Sequence, residues 1–473
     1  MATTSYYHGV RATQVQVTHE PFYECASGIP FVVGTSPMGK ANYPVVVASY
    51  DDAIEQFGYS SDWTSYTLCE FIKSHFDNYG AQPAILVNVL DSDTMYTSVS
   101  STSYDVTDDQ VTLPVNTVES SIEVDGLTVD TDYVVSYEED ACILTLVESG
   151  SQTSLTVTYN LADASQVTKD EIIGGKDTTT RVVTGFEIID YVYQITGTAP
   201  DILLAPTWSE DPEVALVMAA KAECINCVFR GLAIADIPVS SVSAYEDLEA
   251  YKEDNKLVDP NLVLCWPLVS YDDEIYHLST VMAGTMAVTD LDEGSIPCAS
   301  PSNHIATIDA IVTADGTELL LNPDEAKDIN ALGIVTAMKM PADRFVIWGP
   351  HTSGYPDYED PQNSDIAANR MFDYICNNLV IKTWVKVDQR LNARLITGIV
   401  ESMNNWLNGL TNAGRILGAE VKFLASENTA EQMNNGLIYF HVYLGTAPTA
   451  RDIEYLVEQD LSYLEALIDE LAS

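Results

Sequence analysis

Short, wholly apolar runs alternate along this chain with segments of helical periodicity, and that alternation restricts the fold more than any other feature. GIPFVVG (28–34), PVVVAS (44–49), AILVNVL (84–90), DILLAP (201–206) and LVLCWPLV (262–269) each have the length of a buried strand and lie between turn residues. Between them come SYDDAIEQFG (49–58), with Ser49 as N-cap and Asp52 at N3, and TSYTLCEFIKSHFDNYG (64–80), with Leu68, Ile72 and Phe76 on one face. DPEVALVMAAKAECINCVFRGLAIADIP (211–238) reads as a long helix running into another strand, and YHLSTVMAGTMAVTD (276–290) as a helix rich in small residues. Strand, helix and strand in succession predict an α/β core.

Residues 91–175 break the pattern. The window holds 17 acids and a single base, Lys169, and no convincing helix. SIEVDGLTVD, DYVVSYEE, ACILTLVES and SLTVTYN instead alternate with a period of two, so an inserted all-β unit, a sandwich or a barrel, is expected. Asp130 with Asp132, or Glu138, Glu139 and Asp140, offer carboxylates for calcium, but no spaced ligand loop is present and a solvated acidic face is the better reading.

The last third mixes both patterns. LGIVTAMKMPADRFVIWGP reads as two strands, 369–386 as a helix, and Ile396, Ile399, Val400, Met403, Leu407 and Leu410 as the stripe of a second helix. GAEVKFLAS and GLIYFHVYLG are further strands. Two segments look like arms without local partners. GVRATQVQV (9–17) carries Val10, Val15 and Val17, and near the other end Ile453, Tyr455 and Val457 alternate as a strand would, before a short helix with Leu464, Leu467, Ile468 and Leu471.

Charge decides between partners. With 70 acidic and 21 basic side chains the net charge is −49, which repels nucleic acid and anionic membrane surfaces. No apolar run approaches the roughly 18 residues that span a bilayer, and the N-terminus shows no secretory pattern. The eight cysteines are scattered and read as buried free thiols; one CxxC, Cys224 to Cys227, falls inside the helical pattern and lacks a second pair or a nearby histidine for zinc.

GTSPMGKAN (34–42) is the strongest hint of catalysis, since it reads G-x-x-x-x-G-K after a strand. Ala41 takes the place of the magnesium-binding hydroxyl, Pro37 removes an N–H from the loop, and Pro44 with VVV follows where a helix should start. No nucleophile elbow or zinc helix motif occurs, and the seven histidines never pair at ligand spacing. Neither a cofactor nor a metal is expected. Bases, by contrast, concentrate in one place. From Arg370 to Lys422 there are seven (370, 382, 386, 390, 394, 415, 422) against four acids (373, 388, 401, 420), and Lys382, Lys386, Arg390 and Arg394 recur every four residues. That is either a solvated face or a docking surface for something acidic.

Several stretches, in order and over nearly the whole chain, resemble the sheath proteins of contractile phage tails and related contractile injection systems. They are YHGVRATQVQV with SGIPFVVGTSPMGKAN; PDILLAPTWSEDPEVALVMAAKAECINCVFRGLAIADIP; CWPLV, YHLSTVMAG, IPCASPSN and INALGIVTAMKM; and RFVIWGPHTSGYP, ANRMFDYICNNLVIKTWVKVDQRLN and SMNNWLNGLTNAGRILGAEVKF. One departure is ANRMFDY, where the family often has a second arginine before the Met.

The resemblance implies a non-enzymatic structural subunit. It would polymerise as hexameric rings or a six-start helix around an inner tube, in a metastable extended state, and contract to drive the tube through a cell envelope. Its arms would add strands to a neighbouring subunit's sheet. The implied fold is α/β and multi-domain: an N-terminal arm (1–20), an α/β sheath domain (21–90 and 176–340), the inserted β-rich acidic domain (91–175), an α+β C-terminal domain facing the tube (341–451) and a C-terminal arm (452–473). Arg370, Lys382, Lys386, Arg390 and Arg394 would touch the tube or a neighbour, and Val10, Val15, Val17, Ile453, Tyr455 and Val457 would lie on the exchanged strands. Further partners would be baseplate and tail terminator proteins, and the protein would be made in a host bacterial cytoplasm and end in a virion tail or contractile particle. The competing reading is an α/β nucleotide-binding enzyme using Lys40.

Overall fold

The computed structural model describes residues 25–81, 83–340 and 344–472. Its strands in chain order are β1 Pro30–Gly34, β2 Val45–Val47, β3 Ala84–Asn88, β4 Tyr96–Asp105, β5 Gln110–Pro114, β6 Glu123–Val124, β7 Tyr133–Glu138, β8 Ala141–Leu146, β9 Ser154–Ala162, β10 Ile202–Leu204, β11 Leu232–Asp236, β12 Leu262–Cys265, β13 Leu268–Tyr271, β14 Glu274–Tyr276, β15 Ala310–Val312, β16 Ile334–Met340, β17 Arg344–Trp348, β18 Gly418–Lys422 and β19 His441–Gly445.

Eight of them form one sheet in the order β17-β16-β12-β11-β10-β1-β3-β2. The six inner strands run parallel, with Phe31 opposite Ile85, Val32 opposite Leu204 and Cys265 opposite Val335; β2 and β17 are antiparallel edges. Both β1 and β3 are buried along their whole length, as strands covered on two faces must be. The chain runs from β1 outward to β3 and only later fills the other side, so the order reverses between β1 and β10. Because β17 extends this sheet, the sheet runs past the expected boundary at 340.

Helices cover it. In α1 (Tyr50–Phe57) Ser49 caps as the sequence predicts, its hydroxyl accepting the Asp52 N–H at 3.2 Å. α2 is Thr67–Ile72. α3 (Pro212–Ala222) starts at Asp211 with Pro212 in its first turn, and it is shorter than its sequence predicts. Asn226 and Cys227 take positive φ, so the CxxC lies in a turn, not in a helix. α4 (Leu278–Asp292) is buried along most of its length, which explains its small residues: at Gly284 a Cβ would meet the Tyr79 ring. Cys25, Cys69, Cys142 and Cys265 are buried, whereas Cys224, Cys227 and Cys376 are exposed against expectation; all eight are free.

The acidic stretch makes two three-stranded antiparallel sheets, β4-β9-β6 and β5-β8-β7, around an apolar cluster of Val111, Leu113, Leu144, Val157 and neighbours. Burial alternates along β5 and β8, the period read from the sequence. Its acids do local work: Glu139 accepts the Tyr50 hydroxyl at 2.8 Å and Asp140 the Ser61 N–H at 2.6 Å, tying β7 and β8 to the main body. Among the described residues no group of His, Cys, Asp and Glu is placed to hold a metal, and no helix is long and apolar enough to cross a membrane.

A third cluster joins α5 (Ile366–Trp384), α6 (Ala393–Asn412) and the β18–β19 pair through Met371, Tyr374, Met403, Leu407 and Val421. The predicted stripe of α6 buries Ile399, Met403, Leu407 and Leu410. Asn404 fixes β18 to this helix, its side chain bonding both the N–H and the carbonyl of Val421 at 2.8 and 2.9 Å. Residues 446–461 follow without regular structure except a turn at Leu461, and then α7 (Ser462–Ala472).

Candidate functional site

In an open α/β sheet the place to look for a ligand is the strand-order reversal, here just after β1. That is where GTSPMGK sits. Three of its backbone donors are already used inside the chain. Thr35 N donates to Thr67 Oγ1 at 3.2 Å, Ser36 N to Asn88 Oδ1 at 3.1 Å and Met38 N to the Phe57 carbonyl at 3.1 Å, while Pro37 has none. A phosphate cradle needs those N–H groups free. Gly39 has φ +102°, and a Cβ there would stand 2.8 Å from the Gln56 carbonyl, so it serves the turn; Gly34 ends β1 and lies against Thr67 and Leu68. Lys40 is exposed, its amine 4.2 Å from the centre of the Tyr43 ring.

A buried polar cluster that includes Asp236, the last residue of β11, has no signal in the sequence. His277 Nδ1 lies 2.8 Å from Glu70 Oε2, with Glu210 at 3.7 Å from Nε2. His277 N donates to Glu70 at 2.7 Å and Ser279 N to Asp236 at 3.0 Å, so two carboxylates satisfy the open N–H groups at the start of α4. Burial opposes the imidazolium, but Glu70, Glu210 and Asp236 more than offset it and raise its pKa well above the ordinary value. Burial pushes Asp236 up to about 6. The pairs are separated by up to 207 residues in sequence, which leaves no local signal. Every group is engaged in holding α4, and the arrangement is that of a helix support.

The five bases expected to make contacts, Arg370, Lys382, Lys386, Arg390 and Arg394, separate into two groups. Arg370 is 4% exposed and does not lie on a surface, which corrects its assignment as a contact residue. Its guanidinium bonds Asp290 at 2.5 and 3.2 Å, Asp201 at 2.9 Å and Ser27 Oγ at 2.9 Å. It shares a helix face with Asn377 and Asn378. Asn377 bonds both backbone groups of Arg230 at 2.8 Å, and Asn378 both backbone groups of Cys25 at 3.1 and 3.3 Å. This face docks α5 on the main sheet. Lys382 is also buried, its amine 5.0 Å above the Trp406 ring, so it too is withdrawn from the surface.

Lys386, Arg390 and Arg394 remain at the tip between α5 and α6, Lys386 half-buried and the two arginines exposed. The tip is also apolar. Trp384 is 62% and Val387 64% exposed, with Val385 and Leu391 beside them. None of these four stands out in the sequence, because WVKV continues the helical pattern of α5; the signal is an apolar run continuing past the helix end.

Two further elements lack partners. β18 and β19 pair only with each other among the described residues, through five residue pairs from Gly418–Gly445 to Lys422–His441. The strand expected around Ile453, Tyr455 and Val457 is not formed among the described residues: all three are exposed, Val457 to 92%, and pair with no described strand. In α7, Leu464, Leu467, Ile468 and Leu471 are exposed as well. Val10, Val15 and Val17 lie outside the described residues.

No model of a known protein family matches the chain. It is 25% identical over 489 aligned residues to the tail sheath protein of Burkholderia phage BcepMu, covering 98% of both chains. Among solved structures, it matches the sheath of the extracellular contractile injection system PVC in the contracted state at a TM-score of 0.56, with 14% identity and coverage of 98% of this chain and 100% of that one. The six-fold symmetrised baseplate of the anti-feeding prophage gives a TM-score of 0.56 and 14% identity over 96% of this chain and all of the other. The chain is therefore similar, in sequence over nearly its whole length and in its fold, to contractile tail sheath proteins.

Proposed function

We propose that this chain is a structural subunit of a contractile tail sheath, polymerising around an inner tube as hexameric rings or a six-start helix and contracting to drive the tube through a cell envelope. The observation that carries the reading is the end-to-end correspondence with a tail sheath protein, 98% of each chain. The protein has no catalytic role in this reading; the work of contraction is stored in the extended lattice of a bistable assembly. Its partners are further copies of itself, the tube protein, and the baseplate and terminator proteins at the two ends. It is made in a bacterial host's cytoplasm and resides in a phage tail or another contractile particle.

Residues 21–90 and 176–340 act as the sheath domain, 91–175 as an inserted unit on the outside, and 341–451, apart from the edge strand β17, as the tube-facing domain. Among the described residues β18–β19 has open edges and the run at 453–457 is unpaired, which supports strand exchange. An exposed strand edge is a template for another chain, and main-chain hydrogen bonds would keep subunits linked while they rotate. The N-terminal segment with Val10, Val15 and Val17 is assigned the same role. Electron microscopy of the purified chain tests the proposal: tubes or stacked rings are expected, and deletion of 1–18 or of 452–473 should leave a folded subunit that does not assemble. Normal sheaths from either truncation would remove that arm from the account.

A further inference from the structure

We infer that Cys224 and Cys227 are a redox site: they close a reversible disulfide by exchange with a small-molecule disulfide, and the crosslink stiffens the turn on which α5 docks. Of the eight free cysteines three are exposed, Cys224, Cys227 and Cys376. Cys224 and Cys227 share the turn that follows α3, whereas Cys376 lies on α5. The turn is closely held. Ile225 and Phe229 exchange both backbone hydrogen bonds at 2.8 Å, Asn226 N donates to the Ile189 carbonyl at 3.2 Å and Val228 N to the Ile225 carbonyl at 3.1 Å. Asn226 and Cys227 have φ of 51° and 60°. Asparagine tolerates this left-handed conformation; a cysteine is uncommon in it, and such outliers cluster at functional positions.

Burial raises the Cys224 pKa, and Cys227 and Asp190 add to it against Arg230, so the two thiols lie close enough to feel each other's charge. A thiol that resists ionising gives the reduced form no special stabilisation, which favours the disulfide. The reaction is two exchanges. The thiolate of one cysteine attacks a sulfur of oxidised glutathione and expels one glutathione; the other cysteine then attacks the mixed disulfide and expels the second. The protein gives up two electrons and two protons, and one glutathione disulfide becomes two thiols. Phe229 leads into Arg230, whose backbone N–H and carbonyl both bond Asn377 of α5 at 2.8 Å. Closing the short loop from Cys224 to Cys227 removes freedom from the opened turn, so this seat of α5 opens less often. On the sheath reading, the chain is made among reducing thiols and leaves them with its particle, so the dithiol belongs to assembly and the disulfide to the released particle.

The test treats the freshly reduced full-length chain with oxidised glutathione, blocks the remaining thiols with iodoacetamide and maps every cysteine by mass spectrometry. The expected product joins Cys224 to Cys227 with the loss of two hydrogens, leaves Cys376 outside the crosslink, and is reversed by dithiothreitol. Hydrogen exchange of the Arg230 amide should be about tenfold slower in the oxidised protein. Cys227→Ser should hold Cys224 as a mixed disulfide with glutathione and show no slowing at Arg230. Stable glutathione adducts on both cysteines, a crosslink to Cys376, thiols untouched by excess oxidant, or Arg230 exchange indifferent to oxidation would overturn the inference. The chemistry is read on the subunit itself: a missing disulfide leaves the sheath reading standing, and a chain that forms no tubes leaves the disulfide standing.

Discussion

Arg370 in α5 holds both carboxylate oxygens of Asp290 in the last turn of α4, at 3.2 and 2.5 Å, and so joins the helical C-terminal region to the main sheet. All the partners of this contact, Asp290, Asp201 and Ser27, belong to the sheet side of the joint. Burial opposes the guanidinium charge, and Asp290 and Asp201 reverse that and raise its pKa. Arg370→Met leaves Asp290 buried without its partner, and should cost about 3–5 kcal/mol in the denaturant unfolding of the subunit. Arg370→Lys should recover only part, because a single ammonium does not reproduce the fork. An unchanged midpoint in Arg370→Met would show that the contact does not hold the joint.

Asp373, on the same helix, is a buried carboxyl whose Oδ2 has no hydrogen-bond partner among the described residues. Burial pushes its pKa up to about 7, with Arg230 pulling the other way. A raised pKa in the folded state means that the neutral form is favoured. The stabilisation is complete below about pH 4 and is lost as pH rises towards 7. Asp373→Asn should therefore be more stable than the parent chain at pH 8, by on the order of 2 kcal/mol, and little different at pH 4. Thermal unfolding at the two pH values reads this directly, and an equal shift at both would refute the assignment.

Lys40 should be dispensable. Its amine rests on the Tyr43 ring, and the loop before it spends the Thr35, Ser36 and Met38 N–H groups internally. Lys40→Ala is expected to assemble as the parent does, with stability within about 0.5 kcal/mol. Titration calorimetry with magnesium–ATP should give no saturable heat in either protein; saturable binding lost in Lys40→Ala would revive the enzyme reading.

The C-terminal run separates stability from assembly. Tyr455 and Val457 are exposed and their backbone groups make no hydrogen bond among those described. Tyr455→Pro with Val457→Pro should leave subunit unfolding unchanged within about 0.5 kcal/mol. The same pair should abolish tubes, because proline cannot donate to an added strand. Sedimentation before and after induced polymerisation measures both; normal tubes would exclude a strand at these positions.

What was legible in the sequence follows from what is local. Runs such as PFVVG and AILVN announce buried strands because both faces are covered, and Ser49 with Asp52 announces a cap, because these need only neighbours in sequence. Sheet order, and with it the place of β17, depends on pairings across the chain and was not. Arg370 stands out in the sequence for its charge, which suggests a surface; its spacing with Asn377 and Asn378 on one helix face is the signal of a polar docking face. Glu70 and His277 were invisible as a pair, being 207 residues apart. The alternation at 453–457 reads as a strand, and a strand needs a partner that the described residues do not offer.

The central claim is that this chain builds a sheath, and electron microscopy of the purified full-length protein over a range of concentrations addresses it most directly. The account predicts six-fold rings stacked into hollow tubes, with density from a neighbouring subunit continuing the β18–β19 sheet. A protein that stays monomeric at every concentration, or tubes in which that sheet remains two-stranded, would contradict it.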